Sequence, residues 1–168
     1  MIRKGQYKIR TLNLSMGRAI IKINIRNGGN PMSISEKTPK EKALDRLHDL
    51  LILQQEVVEK FGENNYNVFI FGSYPTTRYD DENSDIDIAV YTPDFNLYKR
   101  LSCYLEEYFD ARDIPSDIFF IDSSVEAPIY CTALNAKVQF TEYYPEQLVE
   151  FKGRCEQRLK ELKDMVAV

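Results

Sequence analysis

Residues 69–90 read FIFGSYPTTRYDDENSDIDIAV, and the fold turns on how this stretch divides. Its left end completes Val68-Phe69-Ile70-Phe71, a short, wholly apolar run suited to a buried strand. At its right end Ile86, Ile88 and Val90 alternate with Asp85, Asp87 and Ala89. That alternation predicts a second strand with one apolar face and two carboxylates on the other.

Working outward, the same logic places the remaining elements. Thr38-Pro39-Lys40-Glu41 has an N-cap, a proline at the first helical position and an acid three residues after the cap. A helix follows, with Leu44, Leu47, Leu51, Val58 and Phe61 as its expected apolar stripe and Gly62 as its stop. Residues 95–110 return to helical spacing through Leu97, Leu101, Tyr104, Leu105 and Tyr108. Ser116 to Ile121, after Pro115, reads as a third strand. A helix is expected from about Pro128 to Asn135, and a strand at Val138-Gln139-Phe140. Pro145 opens a last amphipathic helix with Leu148, Phe151, Cys155, Leu159 and Leu162 on one face. Strands alternating with helices predict an α/β (α+β) fold, a sheet flanked by helices in a single domain.

Composition sets the outer limits. The 168 residues, 43% hydrophobic and 29% charged, suit one soluble globular domain. No apolar run of about 18 residues is present, so no membrane span is expected. No short apolar stretch with a small-residue cleavage site follows the basic start, which predicts a cytoplasmic protein. Cys103, Cys131 and Cys155 are odd in number and widely spaced. They read as small buried hydrophobes in a reducing compartment. His48 is the one histidine, which excludes most His-based metal and triad chemistry.

Charge divides the chain. Residues 1–31 hold seven Lys or Arg and no acid, so a net charge of −4 leaves −11 on residues 32–168. The division predicts a basic extension over 1–31, ended by Asn27-Gly28-Gly29-Asn30-Pro31, and a separate domain over 32–168. Three readings of the extension stay open: translation beginning at Met32, a basic arm for nucleic acid, or a β-hairpin. The acidic remainder opposes nucleic-acid binding on electrostatic grounds.

The chemistry concentrates between Gly72 and Asp117. Asp85 and Asp87 sit two residues apart on a strand, roughly 6.6 Å, pointing the same way while Ile86 and Ile88 enter the core. Side-by-side carboxylates repel and resist desolvation, so a cation between them is expected. Their oxygen-only donors suit a hard ion such as Mg²⁺. Asp117, on the strand expected to pair alongside, would supply a third acid. It competes with Asp122, five residues on, and the Asp-Ile-Phe context favours Asp117. Gly72-Ser73, ending a buried strand and expected to enter a short helix, offers backbone N–H groups and a hydroxyl to an anion. A polyphosphate there, with a carboxylate-held metal opposite, is the layout of phosphoryl or nucleotidyl transfer. Arg78 is a further candidate phosphate contact. The run Asp81 to Thr92 lacks the glycine and the final Glu of a calcium loop, and no P-loop or dinucleotide-binding glycine pattern occurs.

Gly72-Ser73, a spacer, Ser84-Asp85-Ile86-Asp87-Ile88 and then Asp117 also resemble the minimal nucleotidyltransferases of the DNA polymerase β superfamily. The resemblance spans roughly residues 40–165 and implies a nucleotidyltransferase-type mixed sheet. It implies that Gly72 and Ser73 hold the triphosphate of ATP or another NTP, and that Asp85 and Asp87 bind two Mg²⁺ ions. Asp117 would join the ion nearer the acceptor and act as, or help create, the base. Many members carry a second glycine and small residues where this chain has Tyr74-Pro75-Thr76-Thr77-Arg78, a departure that bears on nucleotide fit. Stand-alone members resemble antitoxins paired with HEPN-domain toxins, whose tyrosine they modify with AMP. Two other outcomes are kept beside this one: an antitoxin acting by contact with a vestigial nucleotide site, and an aminoglycoside-type nucleotidyltransferase.

Overall fold

The computed structural model describes residues 37–166. The basic extension expected over 1–31 lies outside the described residues. Helix α1 runs Pro39–Phe61, strand β1 Asn67–Phe71 and β2 Ile86–Tyr91. Helix α2 is Phe95–Asp110, β3 is Ser116–Phe120 and α3 is Pro128–Leu134. Strand β4 is Val138–Gln139 and α4 closes the chain at Glu146–Val166. The capping box at α1 forms as the sequence predicts: Thr38 Oγ1 accepts from the Glu41 N–H, and the Glu41 carboxylate accepts from the Thr38 N–H at 2.9 Å.

The four strands form one mixed sheet in the order β3-β2-β1-β4. β1 is antiparallel to β2 and β4, and β2 is parallel to β3. A parallel neighbour requires a crossover, and α2 supplies it. This is the expected α/β sheet domain with helices on both faces.

Alternation along β1 and β2 divides the core in two. Val68, Ile70, Ile86, Ile88 and Val90 face Leu50, Leu53 and Val57 of α1 and Leu101, Leu105 and Phe109 of α2. Phe69, Phe71, Ala89 and Tyr91 face Cys131 and Leu134 of α3 and Leu148, Phe151 and Cys155 of α4. Full burial of each large aliphatic or aromatic side chain contributes about 1.5–3 kcal/mol. These layers therefore fix the register of β2, and with it the direction of every second side chain. Among the described residues no helix is long and apolar enough to cross a membrane.

Two expectations fail here. The buried stripe of α1 is Ala43, Arg46, Leu50, Leu53 and Val57, whereas Leu44 is 52% and Leu51 40% exposed. The true face lies one residue, about 100°, from the expected one. An arginine occupying one of its core positions interrupts the apolar period that would have revealed it. Cys131 and Cys155 are buried as expected, but Cys103 is exposed on α2.

Candidate active site

Gly72 ends β1 with φ +71°, a backbone conformation strained for any residue bearing a Cβ. Space forbids a side chain as well: a Cβ there would lie 1.9 Å from Asp87 Oδ2. The Asp87 carboxylate thus lies directly against the glycine backbone. The register explains why, since Phe71 pairs with Asp87 across the antiparallel ladder and Gly72 is the next residue. The glycine turn and the acidic strand, separate in sequence, share one end of the sheet.

Parallel pairing brings in the third acid. Asp87 pairs with Asp117 on β3, and residues in register on adjacent strands point to the same face. Asp85, just before β2, is two residues from Asp87 and near enough for its charge to act on it. Ile86 and Ile88 between them are fully buried in the opposite core, as alternation requires. Asp87 is pushed above the ordinary carboxylate range by partial burial first, then by the charges of Asp85 and Asp117. Asp85 and Asp117 are therefore near enough for their charges to act on Asp87.

No cation answers them. Among the described residues, none of the three carboxylates has an ion pair or a hydrogen bond to a protein donor. Nor do three His, Cys, Asp or Glu side chains stand close enough to hold a metal ion as they are. Donor chemistry and charge nonetheless suit a hard divalent cation: oxygen ligands, uncompensated and directed to one face.

Asp122 is set apart from this group. It lies beyond the end of β3, and its carboxylate accepts from the Ser124 N–H at 2.9 Å and the Ser124 hydroxyl at 2.6 Å. Those bonds hold it below the usual carboxylate range. Asp117, by contrast, lies on β3 in register with Asp87.

The segment after Gly72-Ser73 departs from expectation. No helix lies between β1 and β2; the connection is a series of turns. The Ser73 carbonyl accepts from the Thr76 N–H at 2.9 Å and from the Thr76 hydroxyl at 2.8 Å. Any anion bound here meets turn N–H groups, without a helix dipole behind them. Tyr74 does not block the acids. It is 3% exposed and packs in the α1/α2 core, edge-on to Tyr79 and Phe109. Burial raises its hydroxyl to about 12. Arg78 is exposed, and its side chain makes no hydrogen bond or ion pair among the described residues.

Sequence reasoning overlooked Arg46. From α1, its Nε donates to the Tyr74 carbonyl at 2.8 Å and its Nη2 to the Thr76 carbonyl at 2.7 Å. Its guanidinium lies 4.8 Å from the Tyr79 ring centre and 3.5 Å from an Asp81 oxygen. The available signal was the i, i+4, i+7 relation of Arg46 to Leu50 and Leu53.

The nucleotidyltransferase domain model matches residues 51–145, more than half of the chain. The chain belongs to the nucleotidyltransferase domain family. The matched segment contains Gly72, Ser73, Asp85, Asp87 and Asp117, so the transferase's sheet end and its acids lie inside it. Solved structures similar to this nucleotidyltransferase include the toxin–antitoxin MntA-HepT, at 17% identity over 71% of this chain and 91% of that one, with TM-score 0.40. Another is a tri-AMPylated Shewanella oneidensis HEPN toxin in complex with MNT antitoxin, at 19% identity over 71% and 91%, TM-score 0.40. A third is a toxin–antitoxin with AMP-PNP, at 20% identity over 70% and 90%, TM-score 0.41. No curated protein matches the chain.

Proposed function

We propose that this nucleotidyltransferase is metal-dependent and transfers AMP from ATP to a hydroxyl acceptor. The observation that supports the reading is that Asp87 lies against Gly72, pairs in register with Asp117 and feels the charges of Asp85 and Asp117. Asp85 and Asp87 would hold two Mg²⁺ ions, and Asp117 would join them at the ion nearer the acceptor. Bound Mg²⁺ supplies charge neutralisation for the phosphates and lowers the pKa of the attacking hydroxyl.

The remaining chemistry belongs to the chain. Gly72, exposed after β1, would offer backbone to a phosphate on the side away from Asp87, and the Ser73 hydroxyl would be a further donor. Arg78, exposed in the same connection, would meet a more distant phosphate oxygen. The acceptor oxygen forms a bond to the α-phosphorus as the bond to the β-phosphate oxygen breaks. Pyrophosphate leaves, and the hydroxyl proton passes to Asp117 or, through it, to water. Catalysis is then mainly positioning and charge screening.

The acceptor we assign on the family resemblance is a tyrosine of a HEPN-domain toxin. The test is incubation with Mg²⁺, α-labelled ATP and the product of the neighbouring gene. Label is expected on a tyrosine of that protein and absent with Asp85→Ala or Asp87→Ala. Transfer that persists in both variants overturns the assignment. Neutralisation of the toxin without any mass change would instead establish action by contact.

A further inference from the structure

We propose that Arg46, on a helix remote in sequence from every acid of the site, is a positioning residue for phosphate binding. The inference rests on the nucleotide reading above and deepens it. Arg46 is 8% exposed, and its guanidinium donates to the carbonyls of Tyr74 and Thr76. In a planar trans peptide the N–H points opposite to the C=O. Holding the Thr76 carbonyl towards α1 therefore turns the Thr77 N–H away from it, at an exposed residue. That N–H and the one on Ser73 donate to no protein acceptor among the described residues. The other carbonyl that Arg46 holds belongs to the Tyr74–Pro75 link, which has no N–H, so Thr77 is the donor whose direction Arg46 sets.

The same guanidinium secures the far part of the connection. It reaches Asp81 at 3.5 Å, and Asp81 is also paired with Lys42 at 2.8 Å. Tyr79 lies under its face. One side chain thus ties down the turn after Gly72-Ser73 and the approach to Asp85. Lysine reproduces this only in part, because its donors radiate from one nitrogen whereas Nε and Nη2 of Arg46 meet the two carbonyls separately.

The test compares AMP-PNP and AMP binding by calorimetry, with Mg²⁺, for the full chain and for Arg46→Met and Arg46→Lys. Thermal melts run alongside, so that binding is compared at a temperature where each variant is folded. Because hydrogen bonds from a charged donor are lost, Arg46→Met is expected to weaken AMP-PNP about tenfold or more. AMP, with fewer phosphates, is expected to weaken less than about threefold, and Arg46→Lys to fall between wild type and Arg46→Met. Equal weakening of both nucleotides, or unchanged AMP-PNP affinity in Arg46→Met, overturns the positioning role while leaving the nucleotide reading intact. A wild-type chain that binds neither nucleotide overturns both.

Discussion

Two charged regions flank the connection between β1 and β2, and they are built on opposite plans. Arg46 is buried and partnered on every side: two carbonyls, one carboxylate and two aromatic rings. Asp87 feels the charges of Asp85 and Asp117, and no protein cation pairs with any of the three among the described residues. A buried charge without partners is costly, so a charge that serves the fold must be satisfied by the fold. A charge left unsatisfied at a surface raises the energy of the free protein and marks where an outside counter-ion would be most stabilising. Arg46 holds the connection, whereas the acids have no counter-charge among the described residues.

The largest expected effect separates two acids five residues apart. Asp117 is unpaired and in register with Asp87, whereas Asp122 is occupied by Ser124. Asp117→Ala is expected to lower kcat/KM for AMP transfer about a hundredfold or more, the scale of losing a general base or a metal-linked carboxylate. Asp122→Ala should leave it within about threefold. Steady-state rates for the two variants decide it, and equal losses would erase the distinction between a structural and a functional acid.

Next comes the joint between the regions. Gly72→Ala puts a methyl group into the Asp87 carboxylate and strains a φ of +71°. Backbone strain of this kind costs about 1–3 kcal/mol in stability, read by denaturant unfolding. Displacement of Asp87 is expected to lower turnover about tenfold to a hundredfold beyond that. A variant destabilised but fully active would show that Asp87 need not lie against the glycine.

Much of this was legible in the sequence, for identifiable reasons. Period-two alternation at Ile86, Ile88 and Val90 needs only the strand repeat to say where Asp85 and Asp87 point. The sequence led us to expect the Asp117 strand beside that of Asp87, but not the parallel direction of their pairing. What stayed hidden depended on contacts distant in sequence. Arg46 sits 28 residues from the carbonyl it meets at Tyr74, and nothing local distinguishes it from a solvated arginine. The α1 stripe was misplaced because Leu44, Leu51 and Ile52 offer a rival apolar face that the fold leaves exposed. The helix expected after Ser73 gave way to turns, as a proline at position 75 disfavours helical backbone at Tyr74.

The smallest effect is the most direct measure of the unsatisfied side of the comparison. Asp87 has its pKa raised in the folded chain by burial and by Asp85 and Asp117. The folded state therefore binds that proton more tightly than the unfolded one. Stability from this source is full below the ordinary carboxylate range and is lost as pH rises through the raised pKa. At neutral pH, without divalent cations, the ionised group opposes folding. Asp87→Asn, which removes the charge and keeps the shape, should raise the apo-protein melting temperature by about 1–3 °C at pH 7. The gain should vanish near pH 3, where the wild-type carboxyl is protonated. Millimolar Mg²⁺ should raise the wild-type melting temperature more than that of the variant, because only the wild type retains the full carboxylate set. A variant that melts below wild type at pH 7 would mean that the Asp87 carboxylate is stabilised by the fold itself, and the contrast with Arg46 would no longer hold.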